Sequence, residues 1–179
     1  MSDSLKIYRD TVCSEIEELL LSLNLDEVKY MVQEILAAPK VFCDGLGRSG
    51  LAMRGFAMRL IQMGKESVLV GEATAPAFEK EDLLILCTAS GSSPTLLYHA
   101  QKAKECGGKV MLITGKSQSK LAEISDGMVL IGAPDKERKS EEKSSIQPMG
   151  ALFEQGAQLV CDTMALEIMK QRGLTSEEM

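Results

Sequence analysis

Apolar residues return at helical spacing twice near the amino end and then give way to five short apolar runs. Over residues 6–23, Ile7, Val12, Ile16, Leu19, Leu20 and Leu23 mark one face of a helix. Over 26–38, Val28, Met31, Val32, Ile35 and Leu36 mark the face of a second, with Asp26 as its expected N-cap and Pro39 as its end. The runs 41–43, 67–70, 83–87, 110–113 and 128–131 read as buried strands. Between them lie helical patterns over 49–63, 94–106 and 119–124, stopped at Gly64 and at Gly107-Gly108, with Pro94 at a helix start. A last helix over 149–171 follows Pro148 and closes at Gly173, its stripe supplied by Met149, Phe153, Leu159, Val160, Met164, Ile168 and Met169.

Strands alternating with crossover helices predict right-handed β-α-β units and a parallel sheet covered on both faces. The expected fold is therefore an α/β three-layer α/β/α sandwich with a five-stranded parallel sheet, flavodoxin-like, carrying extra N-terminal helices. At 179 residues the chain reads as one domain, 1–179, with 1–38 as an N-terminal helical segment. Those helices add apolar surface beyond what covers a five-stranded sheet, so they are expected to contact another chain. A charged stretch, Asp135-Lys136-Glu137-Arg138-Lys139 and Glu141-Glu142-Lys143, interrupts the pattern across 132–145 and reads as a solvated connection, with a flap over the crevice as the alternative.

Two turns rich in serine and glycine carry the chemistry. Gly45-Leu46-Gly47-Arg48-Ser49-Gly50 and Ser90-Gly91-Ser92-Ser93-Pro94-Thr95 each follow an apolar run and each open a helix. Such a turn aims free N–H groups and the positive end of a helix dipole at an anion. Two of them facing one crevice suggest a phosphorylated small molecule. The first also matches G-x-G-x-x-G, and Glu72 falls about twenty residues on, where a dinucleotide fold places its ribose-binding acid. The second turn adds the hydroxyls of Ser90, Ser92, Ser93 and Thr95, which suits a phosphate cup better than an adenine slot.

Composition narrows the partners. A net charge of −6 without a long basic run leaves no nucleic-acid footprint and no polybasic membrane patch. The amino end lacks the apolar stretch of a secretory signal, and no run reaches membrane-spanning length, so a cytoplasmic location is the expectation. Five cysteines, Cys13, Cys43, Cys87, Cys106 and Cys161, show no C-x-x-C spacing and read as structural; with one histidine, no metal and no cofactor is expected. That histidine, His99, stands one turn after Thr95 and reads as a surface residue.

These residues together resemble the sugar isomerase (SIS) domain, and within it the 6-phospho-3-hexuloisomerases. The resemblance rests on both turns, on Phe56-Ala57-Met58-Arg59-Leu60, on Val70-Gly71-Glu72-Ala73-Thr74-Ala75-Pro76, on Asp82-Leu83-Leu84-Ile85, and on Gln147-Pro148-Met149-Gly150 followed by Phe153-Glu154. It implies conversion of D-arabino-hex-3-ulose 6-phosphate to fructose 6-phosphate through an enediolate, within the ribulose monophosphate pathway of formaldehyde fixation. It further implies that Ser49, Ser90, Ser92 and Thr95 hold the phosphate, that Gly47, Arg48, Gly91 and Ser93 complete the binding turns, and that Glu154 is the catalytic base. A homo-dimer or homo-tetramer is implied as well.

The sequence departs from the family pattern in two places. Ser93-Pro94 stands where a Gly-Glu pair is common, which removes one amide from the anion nest. Family members also often continue past the position of Met179 with an Arg-His pair, so a tail histidine is not in this sequence. A non-catalytic SIS-type sensor of sugar phosphates is accordingly the alternative function.

Overall fold

The computed structural model describes residues 2–132 and 145–179, so the charged stretch singled out above lies, for residues 133–144, outside the described residues. Helix α1 (Ser2–Leu21) and helix α2 (Leu25–Ala37) precede β1 (Val41–Gly45), α3 (Gly47–Gln62), β2 (Ser67–Leu69), β3 (Leu83–Thr88), α4 (Pro94–Glu105), β4 (Lys109–Thr114), α5 (Lys120–Ile124) and β5 (Gly127–Leu130). A 3₁₀ turn, Pro148–Gly150, then leads into α6 (Ala151–Arg172). The five strands form one sheet in the order β2-β1-β3-β4-β5, every pair parallel. This is the expected flavodoxin-like α/β/α arrangement. Strand order reverses between β1 and β3, and in open α/β sheets the crevice at such a reversal, beyond the strands' carboxyl ends, is where ligands bind.

Side chains alternate across the sheet and so define two apolar layers. Val41, Cys43, Ile85, Cys87, Met111 and Ile113 pack with residues of α2, α3 and α6, whereas Phe42, Leu84, Leu86, Val110 and Leu112 pack with α4 and α5. Helix α2 buries Val28, Met31, Val32 and Ile35 within its own chain. Helix α1 seats its carboxyl half on α6, with Leu19 over Gly156, while residues 3–10 are exposed, including Leu5, Ile7 and Tyr8. Exposed apolar residues at the amino end cluster on α1, at Leu5, Ile7, Tyr8 and Leu21, while α2 leaves Leu25 and Tyr30 exposed.

Helix α1 begins four residues earlier than expected and α3 begins two residues earlier, and two further boundaries move for a local physical reason. The N-cap of α2 is Asn24, whose side-chain oxygen accepts from the Asp26 amide at 3.0 Å, so Asp26 is a first-turn acid instead. The last helix does not begin at Met149. Met149 (φ 59°) and Gly150 (φ 81°) are both left-handed, which breaks the helical path and leaves Met149 72% exposed and out of the apolar stripe. Of the remaining stripe residues, Phe153, Val160, Met164 and Ile168 are buried as the periodicity predicts, and Leu159 and Met169 are partly buried.

Candidate active site

Both Ser/Gly turns sit at the carboxyl edge of neighbouring strands, because β1 and β3 pair in register from Val41 with Leu83 to Gly45 with Cys87. In the first turn, backbone crowding dictates glycine. A Cβ on Gly50 would collide with the carbonyl oxygen of Gly45, so strand end and helix start touch through bare backbone. Gly47 opens α3 at φ 58°, and Ser49 is 8% exposed beneath the turn. The early amides of α3 lack intrahelical acceptors and point past this edge.

The second turn is pinned from two sides. Gly91 takes φ 64°, donates its N–H to Thr88 Oγ1 at 3.3 Å, and lies so close to Ser119 that any side chain would strike that hydroxyl. Ser92 Oγ donates to Ser90 Oγ at 2.9 Å, so the two hydroxyls converge on one spot. Ser93 is the N-cap of α4, its oxygen accepting from the Leu96 amide at 3.4 Å. Its hydroxyl hydrogen stays available to an outside acceptor. Thr95 is exposed in the first turn of α4, beside Pro94.

Glu154 lies in the first turn of α6, with a side chain 16% exposed. Arg48 Nε, on a side chain 57% exposed, stands 2.9 Å from Glu154 Oε2. The approach is close enough for charge pairing, yet this buried oxygen has no properly aligned hydrogen-bond donor. The first turn of α3 and the first turn of α6 are thereby joined by opposite charges. Cys87 completes the group. Burial pushes its thiol up to about 12, the Ser49 hydroxyl bonds to it and lowers it, and the negative charge of Glu154 raises it. Ser49, Cys87, Arg48 and Glu154 therefore share the α3/α6 face of the sheet, at its carboxyl edge.

His99 is not a bare surface residue. Its Nδ1 lies 2.6 Å from Asp44 Oδ2, and its side chain is 29% exposed. Glu72, the acid of the dinucleotide alternative, bonds to Arg54 at 2.6 Å. Cys43, Cys87 and Cys161 are buried, Cys13 and Cys106 exposed. Among the described residues no group of three His, Cys, Asp or Glu could hold a metal, and no helix is long and apolar enough to cross a membrane.

Sequence reasoning missed Asp44 and Cys87 as members of this edge. Asp44 follows an apolar run and carried a signal, a lone acid inside a strand pattern. Cys87 carried none, because a buried cysteine reads as a small hydrophobe.

The fold that carries these two turns and this largely buried carboxylate has known counterparts. The model of the SIS domain family matches residues 34–157, and the chain belongs to that family. It is 33% identical to the 3-hexulose-6-phosphate isomerase of Bacillus subtilis (strain 168), over 96% of this chain and 93% of the relative. Identity to the 3-hexulose-6-phosphate isomerase of Methylomonas aminofaciens is also 33%, over 96% of this chain and 94% of the other. The solved structure of a hypothetical protein from Methanococcus jannaschii, from which a 3-hexulose-6-phosphate isomerase function was inferred, superposes with a TM-score of 0.79 at 30% identity, covering 98% of this chain and 94% of that one.

Proposed function

We propose that the protein is a sugar-phosphate isomerase that interconverts D-arabino-hex-3-ulose 6-phosphate and fructose 6-phosphate. The observation that carries this reading is Glu154, a largely buried carboxylate paired with Arg48 at 2.9 Å and sharing the surroundings of the Cys87 thiol with Ser49, at the sheet edge that also carries the converging Ser90 and Ser92 hydroxyls. Similarity to proteins named for that reaction, over more than nine-tenths of the chain, supports the choice of sugar.

The phosphate rests on the second turn, where Ser90, Ser92, Ser93 and Thr95 offer hydroxyls, and on the amides and hydroxyl of the first turn at Gly47, Arg48 and Ser49, with Gly91 shaping the cup. Two helix N-termini contribute partial positive charge. Anchoring the phosphate holds the open-chain sugar with C2 and C3 beside Glu154, and that orientation lowers the barrier more than binding alone would.

Glu154 takes the proton from C2, next to the C3 carbonyl, giving a cis-enediolate. The same carboxyl then returns the proton to C3 while the hydroxyl proton passes from O2 to O3 and the carbonyl forms at C2. Arg48 neutralises part of the negative charge that develops on the enediolate oxygens. This reaction's place in the ribulose monophosphate pathway of formaldehyde fixation is part of the proposal.

The test is to supply the purified protein with 3-hexulose 6-phosphate and follow fructose 6-phosphate. Turnover is expected. Binding of either sugar phosphate by calorimetry without turnover would instead establish the sensor reading.

A further inference from the structure

Helix α6 begins without the usual support for a helix that carries a catalytic group. Its N-cap is Gly150, which has no side chain to bond the first amides, and the two residues before α6 are left-handed. Buried Ala151, Leu152 and Phe153 seat the first turn of α6, and the angle at which Glu154 leaves it depends also on how the preceding segment is held. That segment is held from far away in sequence. Glu15, on α1, accepts three hydrogen bonds from three consecutive residues: from Ser145 Oγ at 2.7 Å, from the Ile146 amide at 2.9 Å and from Gln147 Nε2 at 2.9 Å. Ser145 Oγ also accepts from the Gln147 amide at 3.0 Å, so the latch is closed on itself.

We propose that Glu15 is a positioning residue that fixes the entry to α6 and thereby the place of Glu154 in the site. This rests on the reading of Glu154 as the base. The chemistry suits an anion and no other group. All three donors converge on one carboxylate, and a neutral amide there would turn an NH₂ group toward a donor. Burial raises the Glu15 carboxyl, but the bonds from Gln147, Ser145 and Ile146 outweigh it and hold the group below its ordinary value. Helix α1 thus has a task in the site beyond covering α6, because Leu19 and Glu15 lie one turn apart and fix both the body and the mouth of that helix.

Three variants test this: Glu15→Ala, the shorter acid Glu15→Asp, and Glu17→Ala, which removes an exposed acid from the same helix. Each is measured in two ways, by hydrogen exchange of the Ile146 amide and by steady-state kinetics with 3-hexulose 6-phosphate. In Glu15→Ala the Ile146 amide is expected to exchange about tenfold faster or more. Its kcat should fall about 10–100-fold while KM moves less than about threefold, because a misplaced base slows chemistry without loosening the phosphate. Glu15→Asp should recover part of both, and Glu17→Ala should match the wild type. Faster exchange with unchanged kcat, or the same loss in Glu17→Ala, would overturn the proposal. If the wild-type protein turns over no hexulose phosphate, the isomerase reading fails separately, and unaltered Ile146 exchange in Glu15→Ala would still sink the latch.

Discussion

Asp44 and His99, 55 residues apart, meet through a 2.6 Å contact between Oδ2 and Nδ1 on the α4 face of the sheet. Asp44 pairs in register with Leu86, whose side chain belongs to the α4/α5 layer, whereas Cys87 and Glu154 lie on the other face. A carboxylate can only accept, so Nδ1 carries the hydrogen, and Asp44 Oδ1 accepts from the Gly45 amide at 2.7 Å. Imidazole and strand end are thereby tied together just below the first turn. His99→Ala should cost about 1–2 kcal/mol of stability, read from denaturant unfolding, with turnover changed only a few-fold. A hundredfold loss of kcat with unchanged stability would place His99 in the chemistry after all.

Glu154→Gln keeps the shape of the side chain and removes its ability to take a carbon-bound proton. We expect kcat to fall roughly 100- to 10,000-fold with KM little changed, and exchange of the C2 hydrogen with deuterated solvent to stop. Retention of that exchange in the Gln variant would remove Glu154 from the mechanism.

Ser90→Ala and Ser92→Ala each delete one of the two hydroxyls that meet at 2.9 Å. A hydroxyl donor to a dianion is worth on the order of 1.5–3 kcal/mol, so KM should rise about 10- to 100-fold with unfolding midpoints unaltered. An unchanged KM in both variants would put the phosphate elsewhere.

The buried thiols predict a pH limit to stability. Burial pushes Cys43 and Cys87 up to about 12, and Cys161 upward as well. In the unfolded chain these thiols ionise near the ordinary cysteine value of about 8.5, so between that point and about 12 the unfolded state loses protons that the folded state keeps. The thiols' contribution to stability is therefore fully present below about pH 8.5 and declines as pH rises toward 12, measurable as a falling urea midpoint. Thiol reagents at neutral pH should modify Cys13 and Cys106 in the native protein and reach the other three only after unfolding.

Exposed Leu5, Ile7 and Tyr8 lie on a stretch of α1 that projects past its own core. We propose that this stretch packs against a second copy, giving a dimer or tetramer. Light scattering at micromolar concentration should return a multiple of the 19.4 kDa chain, and Leu5→Ser with Tyr8→Ser should lower it. A monomer in the unaltered protein would count against this role for α1.

Much of the fold was legible because its signals are local. Pro39, Gly64 and Gly173 stop helices where the sequence places them, and the apolar runs alone locate five parallel strands. Errors arose where two local signals competed. Asn24 and Asp26 are both good caps two positions apart, and only the backbone turn decides between them. At Met149 the helical period runs on through Phe153, so the left-handed pair was hidden by a continuing apolar pattern. In the candidate site, the two turns and Glu154 were visible as motifs, whereas Asp44 with His99, and Glu15 with its three donors, are pairings across 55 and about 130 residues. Contacts of that kind follow from the packed fold and leave no spacing in the chain to read.

The bare-backbone contact between Gly45 and Gly50 divides what this protein can change from what it must inherit. If the second turn grips the phosphate as proposed, its hydroxyls can be exchanged one at a time, each exchange altering that grip by a graded amount. No graded step exists at Gly50, where the smallest possible addition meets a carbonyl oxygen. On the proposed reading, descendants of this sequence can try new sugars on a fixed mount, and new specificities should be sought in the side chains around the two turns, with the strand-to-helix junction left untouched.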